Sequence, residues 1–139
     1  MAMKTYQEGA RQAFLGNIDL STDNIRAIAI DTADYTFSQS HQNLDDVAGA
    51  ARVATSGNLA GVSISTASVV DCDDFSFSSV SGDTFEAIIF YKHTGTESTS
   101  TLLFYIDQDS GASPISVTPN GNNISVTINA SGIAKIAAD

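Results

Sequence analysis

The chain has 139 residues, with six Lys and Arg against sixteen Asp and Glu, and a net charge of −10. That length suits one domain able to hold a core without covalent staples, and the acidic balance lacks the basic footprint that nucleic acid or an anionic membrane surface requires. A single cysteine, Cys72, excludes an internal disulfide framework and a multi-cysteine zinc cluster. No apolar run approaches the roughly 18 residues of a membrane-spanning helix, and residues 1–14 show no apolar stretch of the secretory-signal kind.

Composition favours strand over helix. There are 18 Ser, 13 Thr, 13 Ile against 6 Leu, and 13 Asp against 3 Glu. Ile and Thr are β-branched and pack well on a pleated surface. Asp competes for backbone hydrogen bonds and prefers caps and turns. The expected class is all-β, an antiparallel β-sandwich or jelly-roll-like domain over 1–139 with a short N-terminal helix, residues 1–20 forming a helical arm and turn.

In chain order, residues 4–16 are the helix candidate. Tyr6, Ala10 and Phe14 lie four apart with Ala13 beside them, and Gly16 is a natural stop. This face either lies on the chain's own sheet or packs on a neighbour, and Tyr6, Ala10 and Phe14 are the candidate partner interface. IRAIAID (25–31) reads as a buried strand and TADYTFSQ as a loop. HQNLDDV (41–47) reads as one helical turn capped by Asn43, with Asp45 and Asp46 near its positive end. AARVAT (50–55), GVSISTASVV (61–70) and FSFSSV (75–80) read as strands, the second alternating Val62, Ile64 and Thr66 with small residues.

Ser81–Gly82–Asp83 is a turn. TFEAIIFYKH (84–93) is the strongest strand signal, with Phe85, Ala87, Ile89 and Tyr91 facing one way and Ile88 and Phe90 the other, as a central strand requires. With TLLFYID (101–107) it forms a predicted hairpin at the middle of the fold. ISVT (115–118), ISVTIN (124–129) and the end of the chain complete the pattern, with an Asn-Gly turn at 120–121. Seven to nine short strands are expected.

Catalytic patterns are sparse. His41 and His93 have no companion at metal-ligand spacing, and Cys72 sits in Asp71-Cys72-Asp73-Asp74, where negative charge opposes thiolate formation. There is no P-loop, dinucleotide fingerprint or nucleophile elbow. Asp71, Asp73 and Asp74 invite a cation test, as Asp107 and Asp109 do more weakly, but the spacing of a calcium loop is missing, and turn residues are the simpler account. The reading is a non-enzyme with no cofactor, no catalytic residues and no metal ligands.

Four stretches, taken in order, carry a resemblance. FLGNIDLSTDNIRAIAIDTADYTFS (14–38) runs from an aromatic through Ile-Asp-Leu and Thr-Asp into a strand ending in Asp. HQNLDDVAGAARVATSGNLAG (41–61) has His-x-x-Leu-x-Asp-Val and a Gly/Ala-rich arm. FEAIIFYKHTGTESTSTLLFYIDQDSG (85–111) has Tyr-Lys-x-Thr-Gly, a Ser/Thr connector and a strand ending Tyr-Ile-Asp, and VTPNGNNISVTINASGIAKI (117–136) forms a last hairpin. Together they resemble a family of small tailed-bacteriophage virion structural proteins. The resemblance implies a head decoration or cement protein on the outer surface of the capsid. Its expected partners are the major capsid protein and copies of itself in a homotrimer or other symmetric cluster, with no nucleic acid and no membrane. The alternatives are a tail, neck or fibre-associated virion protein and a glycan- or cation-binding adhesion module.

Overall fold

The computed structural model describes residues 3–135. The elements are β1 (Met3–Thr5), α1 (Gln7–Phe14), β2 (Ile25–Ile30), β3 (Arg52–Thr55), β4 (Ser63–Ile64), β5 (Val69–Asp71), β6 (Phe75–Phe77), β7 (Ala87–Lys92), β8 (Leu102–Ile106), β9 (Ile124–Val126) and β10 (Ala134–Lys135). The expected final strand is β10; residues 136–139 lie outside the described residues. All named strand pairs are antiparallel, and the all-β class holds.

The two apolar runs of the C-terminal half pair as expected. β7 is the middle of a five-stranded sheet ordered β1-β8-β7-β2-β3. Its neighbours β2 and β8 are also largely apolar, and all three are buried along almost their whole length. Such strands need cover on both faces, and two cores result. The first holds Ala27, Ala29, Ile88, Phe90 and Ile106 from the sheet, met by Val70, Phe77, Phe85 and Ile133. The second holds Ile28, Ile30, Ile89, Tyr91, Leu102 and Tyr105, met by Tyr6, Tyr35, Leu44, Val47 and Ala51. Each large apolar side chain buried this way contributes roughly 1.5–3 kcal/mol.

The cover over the first core is two small sheets, β10-β5-β4 and β6-β9. Among the described residues the strands therefore do not assemble into the two continuous sheets of a sandwich or jelly roll. Run 61–70 is one reason. It is not a single strand but a hairpin, β4 and β5, turning at 65–68. The Ser65 hydroxyl accepts from the backbone N–H of Ala67 (3.2 Å) and Val69 (3.3 Å), and Ser68 takes φ +64°. ISVT pairs only at Val117, which exchanges backbone hydrogen bonds of 3.0 Å with Phe85. That bridge carries Phe85 out of the β7 ladder and into the first core, opposite to the face expected for it.

Residues 4 and 5, expected to begin the helix, belong with Met3 to an edge strand on β8. The helix then starts at Gln7 and ends in a Schellman turn. Gly16 is at φ +80°, its N–H donates to the Ala13 carbonyl (3.1 Å), and that of Asn17 donates to the Gln12 carbonyl (2.9 Å). The turn at 41–47 is a 3₁₀ turn over Leu44–Asp46 with Asn43 as N-cap. The Asp46 carboxylate reaches back to the N–H groups of Gln42 (2.7 Å) and Asn43 (3.3 Å).

Gly9 seats α1. It is the buried residue of the helix, and a Cβ there would collide with the Leu102 carbonyl oxygen. Mid-helix glycine costs about 0.5–1 kcal/mol against alanine, so the close approach outweighs propensity. Gly9→Ala is expected to destabilise the chain by about 1–3 kcal/mol, because backbone cannot yield as a side-chain tip can. A lowered urea midpoint checks this; an unchanged or raised midpoint would place α1 elsewhere.

Candidate functional site

The structure divides the candidate interface residues. Tyr6 is wholly buried and belongs to the second core, so it leaves the proposed contact surface. The reason is its position. Tyr6 is the N-cap of α1, with extended backbone, and so lies outside the helical spacing that grouped it with Ala10 and Phe14. Ala10 is half-buried, while Phe14 is 88% exposed and Leu15, missed by the sequence reading, is 58% exposed. Because Gly9 presses on β8, the side of the helix bearing Phe14 faces outward. A glycine inside a helical pattern was the available signal for this.

Tyr6 anchors a hydrogen-bonded line beneath the helix. Its hydroxyl lies 2.9 Å from that of Tyr35, which lies 2.8 Å from His41 Nδ1. Phe37 and Tyr105 pack beside it, with ring centroids 5.0 Å apart. Lys4 Nζ sits 5.2 Å from the Phe37 centroid and 5.3 Å from that of Tyr105, and bonds the Asp107 carboxylate at 3.3 Å. Burial is the first cause raising the Tyr6 and Tyr35 hydroxyl pKa values. Burial, then the Asp107 charge, pushes Tyr105 up to about 12. The line joins the start of the chain to the 31–41 loop, which covers the second core.

The acidic candidates do not converge. The Asp71 carboxylate accepts from the N–H of Cys72 (2.9 Å), and the Asp74 carboxylate from that of Ile128 (2.8 Å). The Asp73 carboxylate lies against Gly61. Asp109 caps its own loop, accepting from Gly111 and Ser113 N–H (both 2.9 Å), while Asp107 pairs with Lys4. Among the described residues, no three His, Cys, Asp or Glu are placed to hold a metal ion. Cys72 is buried, and burial, then Asp71, Asp73 and Asp74, push its thiol up to about 11. His93 packs edge-on against Tyr91, with ring centroids 6.2 Å apart, and burial, then Arg26, lowers its pKa.

Clefts of opposite character indent the surface formed by the described residues. A polar one of about 300 Å³ lies between α1 and the β7–β8 connector, lined by Glu8, Gln12, Asn17, Asn43, Lys92 and Thr99 among others. Several of these groups already satisfy one another. Lys92 Nζ donates to the Asn17 carbonyl (2.8 Å) and pairs with Asp23 (3.2 Å), and Glu8 accepts from Gln12 and Arg11. An apolar cleft of about 320 Å³ opens beside Ile88, Phe90 and Ile106. Neither was signalled by any local motif, since each is assembled from distant segments. No family model matches the chain, and no curated protein is similar to it in sequence.

The most developed surface feature is therefore the Phe14–Leu15 pair. It stands on a helix end held by the Gly16 turn, by a 2.6 Å hydrogen bond from Asn17 to the Gln12 side chain, and by Lys92. Such a fixed apolar projection suits contact with another macromolecule.

Two outcomes follow for the tyrosine line. Tyr35→Phe leaves the wholly buried Tyr6 hydroxyl without its partner and is expected to cost about 1–3 kcal/mol, with Tyr6→Phe/Tyr35→Phe together costing less than the sum of the singles; a double-mutant cycle by urea unfolding measures this, and additive singles would contradict the coupling. Tyr105 titrates near 10 when unfolded and near 12 when folded, so the unfolded chain loses its proton first. Stability is then full below about pH 10 and falls as pH rises toward 12. Thermal melts across that window read it; a flat profile would refute it.

Proposed function

We propose that the chain is a bacteriophage virion structural protein, a capsid decoration protein that binds the outer surface of the major capsid shell and stabilises it. The observation that carries this is the rigidly mounted, exposed Phe14–Leu15 pair. In a chain whose other large apolar residues are mostly buried, it marks an assembly contact. The resemblance of residues 14–38, 41–61, 85–111 and 117–136 to small virion proteins supplies the partner class. Several residues within those motifs have structural work here: His41 bonds Tyr35, Asp46 caps its turn, Lys92 holds the α1–β2 loop, and Asp107 holds β1.

The role is mechanical. A doubly covered sheet resists deformation, and a net charge of −10 keeps the outward surface hydrated. Binding only the expanded lattice would stabilise that lattice by mass action.

Purified chain is expected to bind empty expanded shells and raise their melting temperature. In mature particles it should occur in numbers comparable with the major capsid protein, as gel densitometry would show. No binding to expanded shells would overturn the reading. A few copies at one vertex would move the protein to the tail or neck.

A further inference from the structure

The apolar pair and the apolar cleft lie in different places. α1 is seated at the Leu102–Leu103 end of β8, and the Lys92–Asn17 contact holds the helix's exit beside the last residue of β7. The cleft is at the other end of the same hairpin, beside Ile106 and the start of β7. Its apolar wall is Ile88, Phe90, Ile106, Ile115, Val126 and Ile128. Phe14 is 88% exposed and so does not occupy the cleft of its own chain.

Charge follows the same division. Arg11 lies one helical turn before Phe14 and Leu15, with its side chain 62% exposed. Its partner is Glu8 at 3.0 Å, an exposed pairing of the kind that is readily exchanged. The cleft carries Asp109 on its lining, and Asp74 is bonded to the N–H of Ile128 on its wall. The projection thus pairs an apolar tip with a cation, and the cleft pairs an apolar wall with anions.

We propose that Phe14 and Leu15 of one chain insert into the apolar cleft of a second copy, with Arg11 against Asp109 and Asp74. The contact is heterologous: the two surfaces that meet are different, and every copy bears both. Successive copies join head to tail, and closure of the rotation gives a cyclic cluster. The contact is small, in the range of weak interfaces, so it forms at high local concentration, as on a capsid surface where copies are held side by side. This deepens the decoration reading by assigning the exposed pair to a neighbouring copy. It is measured on the isolated chain, so its failure leaves shell binding unaffected, and the reverse also holds.

Sedimentation equilibrium of the full chain tests it, at concentrations raised stepwise to the millimolar range. The weight-average mass is expected to climb above the 14.5 kDa of one chain. Phe14→Asp removes the projection and Thr127→Trp obstructs the cleft from an exposed lining position. Each should stay at monomer mass alone. An equimolar mixture should reach two chains and stop, because one intact projection and one intact cleft remain. A wild-type chain that stays monomeric, a Phe14→Asp chain that still associates, or a mixture that stays monomeric would each overturn the proposal. Leu15→Asp and Ser110→Trp, also at exposed positions, repeat the pair of arms if either first variant fails to fold.

Discussion

A strand with no face open to water dictates most of this molecule. β7 pairs with β2 through six residues and with β8 on its other side, and almost all of its side chains are buried. A sheet interior of this kind is stable only if something apolar lies above and below it. Beyond the edge strands β1 and β3, which extend the same sheet, much of the chain serves as one cover or the other. The small β5 and β6 strands, with the chain around Ile133, supply one; Tyr6, the 31–41 loop and the 3₁₀ turns near Leu44 and Ala51 supply the other. The covers are mostly irregular because they need to present apolar side chains, not to extend hydrogen-bonded ladders. Arg52 shows how such a cover is fixed: its guanidinium donates to the carbonyls of Leu44 (2.8 Å) and Val47 (2.6 Å) and pairs with Glu97.

The centre of the fold was legible because its signals are local and dense. The runs at 84–93 and 101–107 are apolar on both faces, and two-sided burial follows directly. Gly16 as helix stop and Asn43 as cap were legible for the same reason. The remaining features depend on distant partners or on unusual local chemistry. The turn inside 61–70 has no Gly, Pro or Asn; a serine hydroxyl and a left-handed Ser68 make it. A bulge between Phe90 and Tyr91 leaves Leu103 without an opposite residue and puts it beside Phe104 in one core, which period-two reasoning does not anticipate. At the candidate interface, Phe14 was legible as an apolar helix residue. The exchange of Tyr6 for Leu15 was not, because the tertiary seat at Gly9 decides which side of the helix faces out.

The excess of Asp over Glu has a structural explanation in the same contacts. Carboxylates of Asp19, Asp31, Asp46, Asp71, Asp74 and Asp109 each accept from backbone N–H groups, nearby in sequence or, for Asp74, on the distant Ile128. A short side chain reaches such donors where Glu would overshoot. The negative charge is consequently spread through the loops as turn chemistry, which accounts for an acidic chain whose acids do not gather into a site among the described residues.

The division between the two cores also fixes what light can report about this protein. Tryptophan is absent, and the chain has four tyrosines. All four, Tyr6, Tyr35, Tyr91 and Tyr105, belong to the second core, whereas the first contains phenylalanine as its aromatic residue. Intrinsic emission and near-ultraviolet dichroism therefore observe one side of the sheet and are nearly blind to the other. Loosening of the β5 and β6 layer would pass unseen by fluorescence while amide exchange recorded it, so a disagreement between those two probes would identify which side opened first.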